Sequence, residues 1–408
     1  MSKKIIITIS VALSILLAVL VAYYFLGRTP SDTQGGVVSG FRSFFPFGGE
    51  SNPSTTSTST PTQNNNENAP EVTNNFLQKL RKLSAEPVSG AGISDTSAGS
   101  IVRYIEKATG HIYEVELFSP KQGRISNTTI PLVYDAIWGN KNTSLITRYL
   151  EQNDKTVSTY SLTVKNVSTT TENTITGISF GGFITDVSVF DANVFYLERS
   201  ETFSTGYTSN FDGSKKKQIW NSPLKDLTSQ YVNEKTVALT TKPYQGMPGY
   251  LYLVDTNNGS VKTVLRKIPG LSTLVDNDAS QILYLKQEGS AILYTYNTKN
   301  QANLETGIST FPEKCVWSKK DKNILFCATP KEFIGQNSLT DWYRGLVSYS
   351  DEVKRYDIRD GSYSTVGDLT KESGEVIDVT KPILTENEQY LIFINKKDNS
   401  LWSLDLTK

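Results

Sequence analysis

Along most of the chain, short runs of β-branched and aromatic residues alternate with clusters of turn-forming polar residues, the pattern of successive strands. Seven aromatic-centred segments line up: residues 112–116, 159–163, 206–210, 251–255, 293–297, 353–357 and 401–405. Each carries a Tyr or Trp, from Tyr113 to Trp402. Their spacing is about 42 to 48 residues, with one interval of about 60, a period that implies a repeated unit of four strands.

Each unit supplies those strands. Before the aromatic segment lies another apolar run, as at 101–104, 145–149, 194–197, 236–239, 282–285, 324–326 and 391–394. A third run precedes that one at 133–138, 184–190, 271–275 and 315–317. A polar turn such as Asp255-Thr256-Asn257-Asn258-Gly259 leads into a fourth strand. With strands a, b, c and d counted from the axis outward, the units predict an all-β, seven-bladed β-propeller over 76–408. A six-bladed ring is the alternative if the unit around Phe183 is irregular. The last unit stops at Lys408 after its c strand, and an open edge invites aggregation. Residues 76–83 are expected to fill the gap as its missing d strand; a short amphipathic helix outside the ring is the competing reading.

The repeats resemble the WD40-like, TolB-type and quinoprotein-type propeller families, whose units share an aromatic or apolar strand followed by Asp, a turn and often Gly. The resemblance covers residues 76–408 and concerns architecture; no Trp-Asp dipeptide ends the strands, unlike true WD40 repeats.

The N-terminal pattern differs. Residues 5–26 form an almost uninterrupted apolar stretch, long enough at about 1.5 Å per residue to cross a hydrocarbon core of about 30 Å. Lys3 and Lys4 precede it and Arg28 follows, which predicts a cytoplasmic tip, one membrane anchor over 1–28 and a C-terminal domain outside the cytoplasm. A cleaved signal peptide is the alternative, but its apolar core is normally shorter. Residues 29–75 read as a disordered Ser/Thr/Asn/Pro-rich linker with a mean reach of about 35 to 40 Å. Phe41, Phe44, Phe45 and Phe47 within it offer a contact for lipid or for a partner.

Charge and chemistry narrow the function. Forty-one basic residues balance forty-one acidic ones, leaving no nucleic-acid footprint. Of the two cysteines, Cys315 and Cys327, folding the hairpin about Asp321 sets one opposite the other, as a disulfide needs. Such a bond closes a loop of about 13 residues and is worth roughly 2 to 3 kcal/mol; a reduced pair in the core is the alternative. Gly177-Ile178-Ser179-Phe180-Gly181 matches a nucleophile elbow, but a strand rather than a helix follows, and the single histidine, His111, lies in another unit. Asp276 with Asp278 and Asp357 with Asp360 are candidate acid pairs, yet both sit in predicted turns that favour Asp. No cofactor, metal or catalytic motif emerges.

Departures from the repeat are more informative. The long interval comes from a b-to-c insertion, residues 329–352, bearing Phe333, Trp342 and Tyr343; a smaller b-to-c extension, 242–249, carries Tyr244. Insertions in repeat proteins map to loops on one face, often the binding face. With strand 76–83 entering on the c-to-d face, the insertion face points away from the membrane. Phe333, Trp342, Tyr343 and Tyr244 are then candidate partner-binding residues, although Trp342 packing beneath its own loop is an equal reading. Together these features predict a membrane-anchored, extracytoplasmic and non-catalytic binding or scaffolding module for an envelope or cell-surface protein, peptide or glycan. A hydrolase or lyase acting on surface glycans or peptides through an acid cluster in the channel is the alternative.

Overall fold

The computed structural model describes residues 76–408 apart from 127, 152–156, 165–174, 289 and 334–337. The anchor 1–28 and the linker 29–75 expected from the sequence lie outside the described residues. Among the described residues, twenty-eight strands, β1 (Leu80–Lys82) to β28 (Leu401–Asp405), form seven antiparallel four-stranded sheets. Blade one lies within residues 88–124, blade two within 133–180, blade three within 184–222, blade four within 227–269, blade five within 272–309 and blade six within 315–368. Blade seven combines β26 (Val379–Leu384), β27 (Tyr390–Asn395) and β28 with β1.

Local chemistry explains the regularity. Aromatic residues at matching positions of strands b and c pair across the ladder: Tyr104 lies opposite Tyr113, Tyr196 opposite Tyr207 and Tyr284 opposite Tyr294. Their ring centroids are 5.3 to 5.5 Å apart, a cross-strand contact that fixes register. The polar turn after strand c also has a mechanism. Asp255 Oδ1 accepts the N–H of Asn257 at 2.8 Å and of Asn258 at 3.1 Å, and Gly259 closes the turn at φ 73°. Asp357 and Gly361 repeat it in blade six, with the glycine again at φ 73°. Without a Cβ, glycine adopts this left-handed conformation at no steric cost.

Ring closure rests on β1. Leu80, Arg81 and Lys82 pair with Leu404, Ser403 and Trp402, and Leu80 is buried among Phe326, Phe393 and Trp402. The cores lie between blades; the largest joins blades five and six through Leu283, Leu293, Phe311, Trp317 and Leu325. Cys315 and Cys327 face each other in the hairpin of β22 (Cys315–Trp317) and β23 (Ile324–Pro330), 4.1 Å apart between Cα atoms, and are disulfide-bonded.

Candidate functional site

Antiparallel order places the b-to-c and d-to-a connections on one face of the ring and the a-to-b and c-to-d connections on the other. Among the described residues, the first face carries most of the exposed large apolar side chains; Phe118 in a c-to-d turn and Val261, Leu304 and Tyr363 at the starts of d strands lie towards the other. Leu132, Phe183, Leu224 and Val376 lie in d-to-a connections, with Tyr134 at the start of the next strand. Phe203, Tyr244, Met247, Tyr343 and Leu346 belong to b-to-c segments. Among the described residues, the a-to-b loops hold none of the exposed large apolar side chains. Leu77, just before β1, is on the opposite face, where the chain enters the ring.

The two extensions meet on that face. The blade-six insertion contains helix α1 (Ser338–Tyr343), whose Thr340 Oγ1 accepts the backbone N–H of Gln245 in the blade-four extension at 3.2 Å. The insertion thus reaches past blade five. Tyr343 donates its hydroxyl to Glu313 and also contacts Ser272 Oγ at 3.4 Å. Its hydroxyl is directed inward although the residue as a whole is 37% exposed. Burial raises the Tyr343 phenol well above its ordinary range and shifts Glu313 upward too.

The four aromatic candidates therefore separate. Tyr244, 58% exposed, and Tyr343 remain on the surface. Trp342 does not: at 2% exposure it belongs to the core, which corrects its assignment as a partner-binding anchor. Its ring packs 5.0 Å from Phe311, and its indole N–H donates to both oxygens of Asp378 at 3.1 and 3.0 Å. Phe333 is half-buried and packs edge-on against Tyr349 and Phe311, so it too supports the insertion from within. Aromatic content cannot by itself distinguish an interface from the core of a loop, because both bury rings.

Beneath the insertion lies an ionic cluster with no counterpart in the sequence reading. The connection from β21 (Asn303–Ser309) to β22 (Cys315–Trp317) ends in a 3-10 turn, Pro312–Lys314. The Lys314 ammonium is fully buried between Asp351 and Asp378, both also at 0% exposure. Tyr349 and Trp342 place their rings 5.6 and 5.4 Å from its nitrogen. A lysine followed by a cysteine at a strand start carries no sequence signal for such a cluster.

Elsewhere the acids are committed to structure. Asp276 accepts Ser280 Oγ and the Gln281 N–H at 2.9 Å each. Burial pushes its carboxyl up to about 6, while the hydrogen bond from Asp276 holds Asp278 down to about 2. Arg359 donates to Asp357 and holds it at about 2. On the inner strands, Asp135 pairs with Lys381 at 2.5 Å beside a cavity of about 300 Å³ lined by Ala91, Ile137, Trp138 and Ile383. Asp186 accepts the N–H and hydroxyl of Ser229 at 2.6 Å each, and burial pushes it up to about 6. Ser179 is exposed on outer strand β9 (Ile175–Phe180), followed by strand β10 (Ile184–Phe190). His111 Nε2 contacts Thr129 Oγ1 at 3.2 Å. Among the described residues, no group of three His, Cys, Asp or Glu side chains is arranged to hold a metal ion.

No protein-family model and no curated protein matches the chain. Solved structures similar in fold include the β-propeller domain of the Trilobed protease from Pyrococcus furiosus, described as having an open velcro topology. It has a TM-score of 0.49 at 10% identity, over 79% of this chain and 97% of that one. TolB from Acinetobacter baumannii aligns with a TM-score of 0.42 at 11% identity, over 77% and 78%. A puromycin-hydrolyzing peptidase from Mycobacterium tuberculosis gives 0.47 at 10% identity, over 74% of this chain; the chain spans 49% of that protein's length. The seven-bladed ring is the propeller architecture expected from the repeats. At these identities the likeness concerns the fold.

Proposed function

We propose that the protein is a membrane-anchored, extracytoplasmic propeller that binds an envelope or cell-surface protein or peptide on its b-to-c and d-to-a face. The observation that carries this reading is the gathering of exposed Phe183, Phe203, Tyr244, Met247, Tyr343 and Leu346 on that face. Contiguous apolar surface rimmed by polar residues marks an interaction site, and aromatic side chains are favoured interface anchors. Because the chain enters from the other side, a tether leaves this face unobstructed. The anchor is assigned to residues 5–26 from their apolar run and the lysines before it.

In-cell photo-crosslinking tests the reading. A photoreactive residue replacing Met247 is expected to capture a discrete protein, whereas one replacing Glu234, exposed in an a-to-b turn, is expected to capture none. A Leu346→Asp substitution should weaken the Met247 adduct several-fold. Equal adducts from both faces, or none from Met247, overturn it.

A further inference from the structure

We infer that the chain joins Lys314 to Asp378 by an isopeptide bond, with Asp351 as the proton carrier of the reaction. The nucleophile, the electrophile and an acid–base group are assembled in one solvent-excluded cluster beneath Trp342. Lys314 donates to Asp351 Oδ2 at 2.6 Å and to Asp378 Oδ1, and none of the three side chains is exposed to solvent.

Each group has the surroundings its step requires. Asp378 receives the Trp342 indole N–H on both oxygens and the Tyr349 backbone N–H on Oδ2 at 3.1 Å. These donors withdraw charge from the carboxyl carbon and are placed to stabilise the oxyanion that attack produces. Asp351 Oδ2 also accepts the Val379 N–H at 2.7 Å, while its Oδ1 has no hydrogen-bond partner. Burial raises the Asp351 carboxyl to about 6, suiting it to hold a proton.

The step balances without oxidant, reductant or cofactor. One ammonium proton passes from Lys314 to Asp351, freeing the nitrogen lone pair. The nitrogen attacks Cγ of Asp378, forming the C–N bond. Asp351 returns its proton to the departing carboxyl oxygen, which takes a second proton from nitrogen and leaves as water. An ammonium and a carboxylate become a neutral amide plus one water. Two charges thereby leave a dry interior, where ion pairs carry a large desolvation cost, and exclusion of solvent disfavours the reverse hydrolysis. The bond spans 64 residues and encloses the whole of blade six, disulfide included. Trp342 and Tyr349 on the insertion act as cover and donors for the reacting groups.

Peptide mass spectrometry of the full-length chain, purified in detergent, reduced and alkylated, decides the matter. A branched tryptic peptide joining Lys314 to Asp378, lighter by one water than its two linear parts and uncleaved after Lys314, is the expected result. Linear peptides recovered in full, with cleavage after Lys314, overturn the inference, and a branch to Asp351 overturns the assignment of acceptor and carrier. The wild-type measurement does not depend on how any variant folds. Asp351→Ala is expected to abolish the branched peptide while the Cys315–Cys327 disulfide still forms. Trp342→Phe, which keeps a ring but removes the donor, should lower the linked fraction; unchanged linkage in both variants removes the proposed mechanism.

Discussion

Asp186 shows what a single carboxylate contributes on the inner strands. Its two acceptor contacts with Ser229 favour the charged form, but burial outweighs them and pushes its carboxyl up to about 6. In the unfolded chain the same group titrates near ~3.9. The folded state therefore holds a proton that the unfolded state has lost over this interval. The stability that proton gives is fully present below about pH 4 and is lost as pH rises through about 6. Asp186→Asn, neutral throughout, keeps a carbonyl oxygen to accept from Ser229. It should match wild type near pH 4 and exceed it by about 2 to 3 kcal/mol at pH 7. Chemical denaturation at the two pH values checks this; equal differences at both show that Asp186 is not the titrating group. At this scale the sequence was least informative. Nothing in Thr185-Asp186-Val187 or in Glu313-Lys314-Cys315 reveals which partners the ring brings to these side chains, because Ser229 and Asp378 come from other blades.

At the scale of the element, β1 and the β22–β23 hairpin are stabilised by different means. Leu80 is 6% exposed in the blade-seven core, so Leu80→Ala should cost about 2 to 4 kcal/mol, and removal of residues 76–82 should lower the melting temperature further by baring the β28 edge. An unchanged melting temperature in the truncated protein would show that the ring holds without β1. Replacing both Cys315 and Cys327 by Ser should cost about 2 to 3 kcal/mol, read as a fall in the denaturation midpoint. These elements were legible because they depend on local pattern. Period-two alternation, the Asp-to-Gly turn and the symmetry of the hairpin about Asp321 lead to the observed Cys315–Cys327, Val316–Phe326 and Trp317–Leu325 register. The aromatic residues of the insertion were not legible in the same way. Trp342 and Tyr343 are neighbours, yet one is core and the other is surface, because helix α1 turns them onto different sides.

For the whole molecule, the proposed function turns on whether residues 5–26 hold the chain at a membrane. Its acidic and basic residues balance, so an electrostatic attachment of the propeller has no net charge to act through. An anchor of about 20 apolar residues, by contrast, partitions into hydrocarbon and is indifferent to salt. Full-length protein should therefore stay with membranes through a high-salt wash and leave only with detergent. If, as proposed, the lysines before the apolar run keep the C-terminus outside, protease added to intact cells should cut within residues 51–75, rich in Ser, Thr, Asn and Pro, and release the propeller as a resistant fragment carrying a C-terminal epitope. Complete protection of the epitope would reverse the orientation, and release without protease would identify residues 5–26 as a cleaved signal. A fragment that appears only after protease and still yields the Met247 adduct when returned to the cells would locate recognition in the propeller face and attachment in residues 5–26.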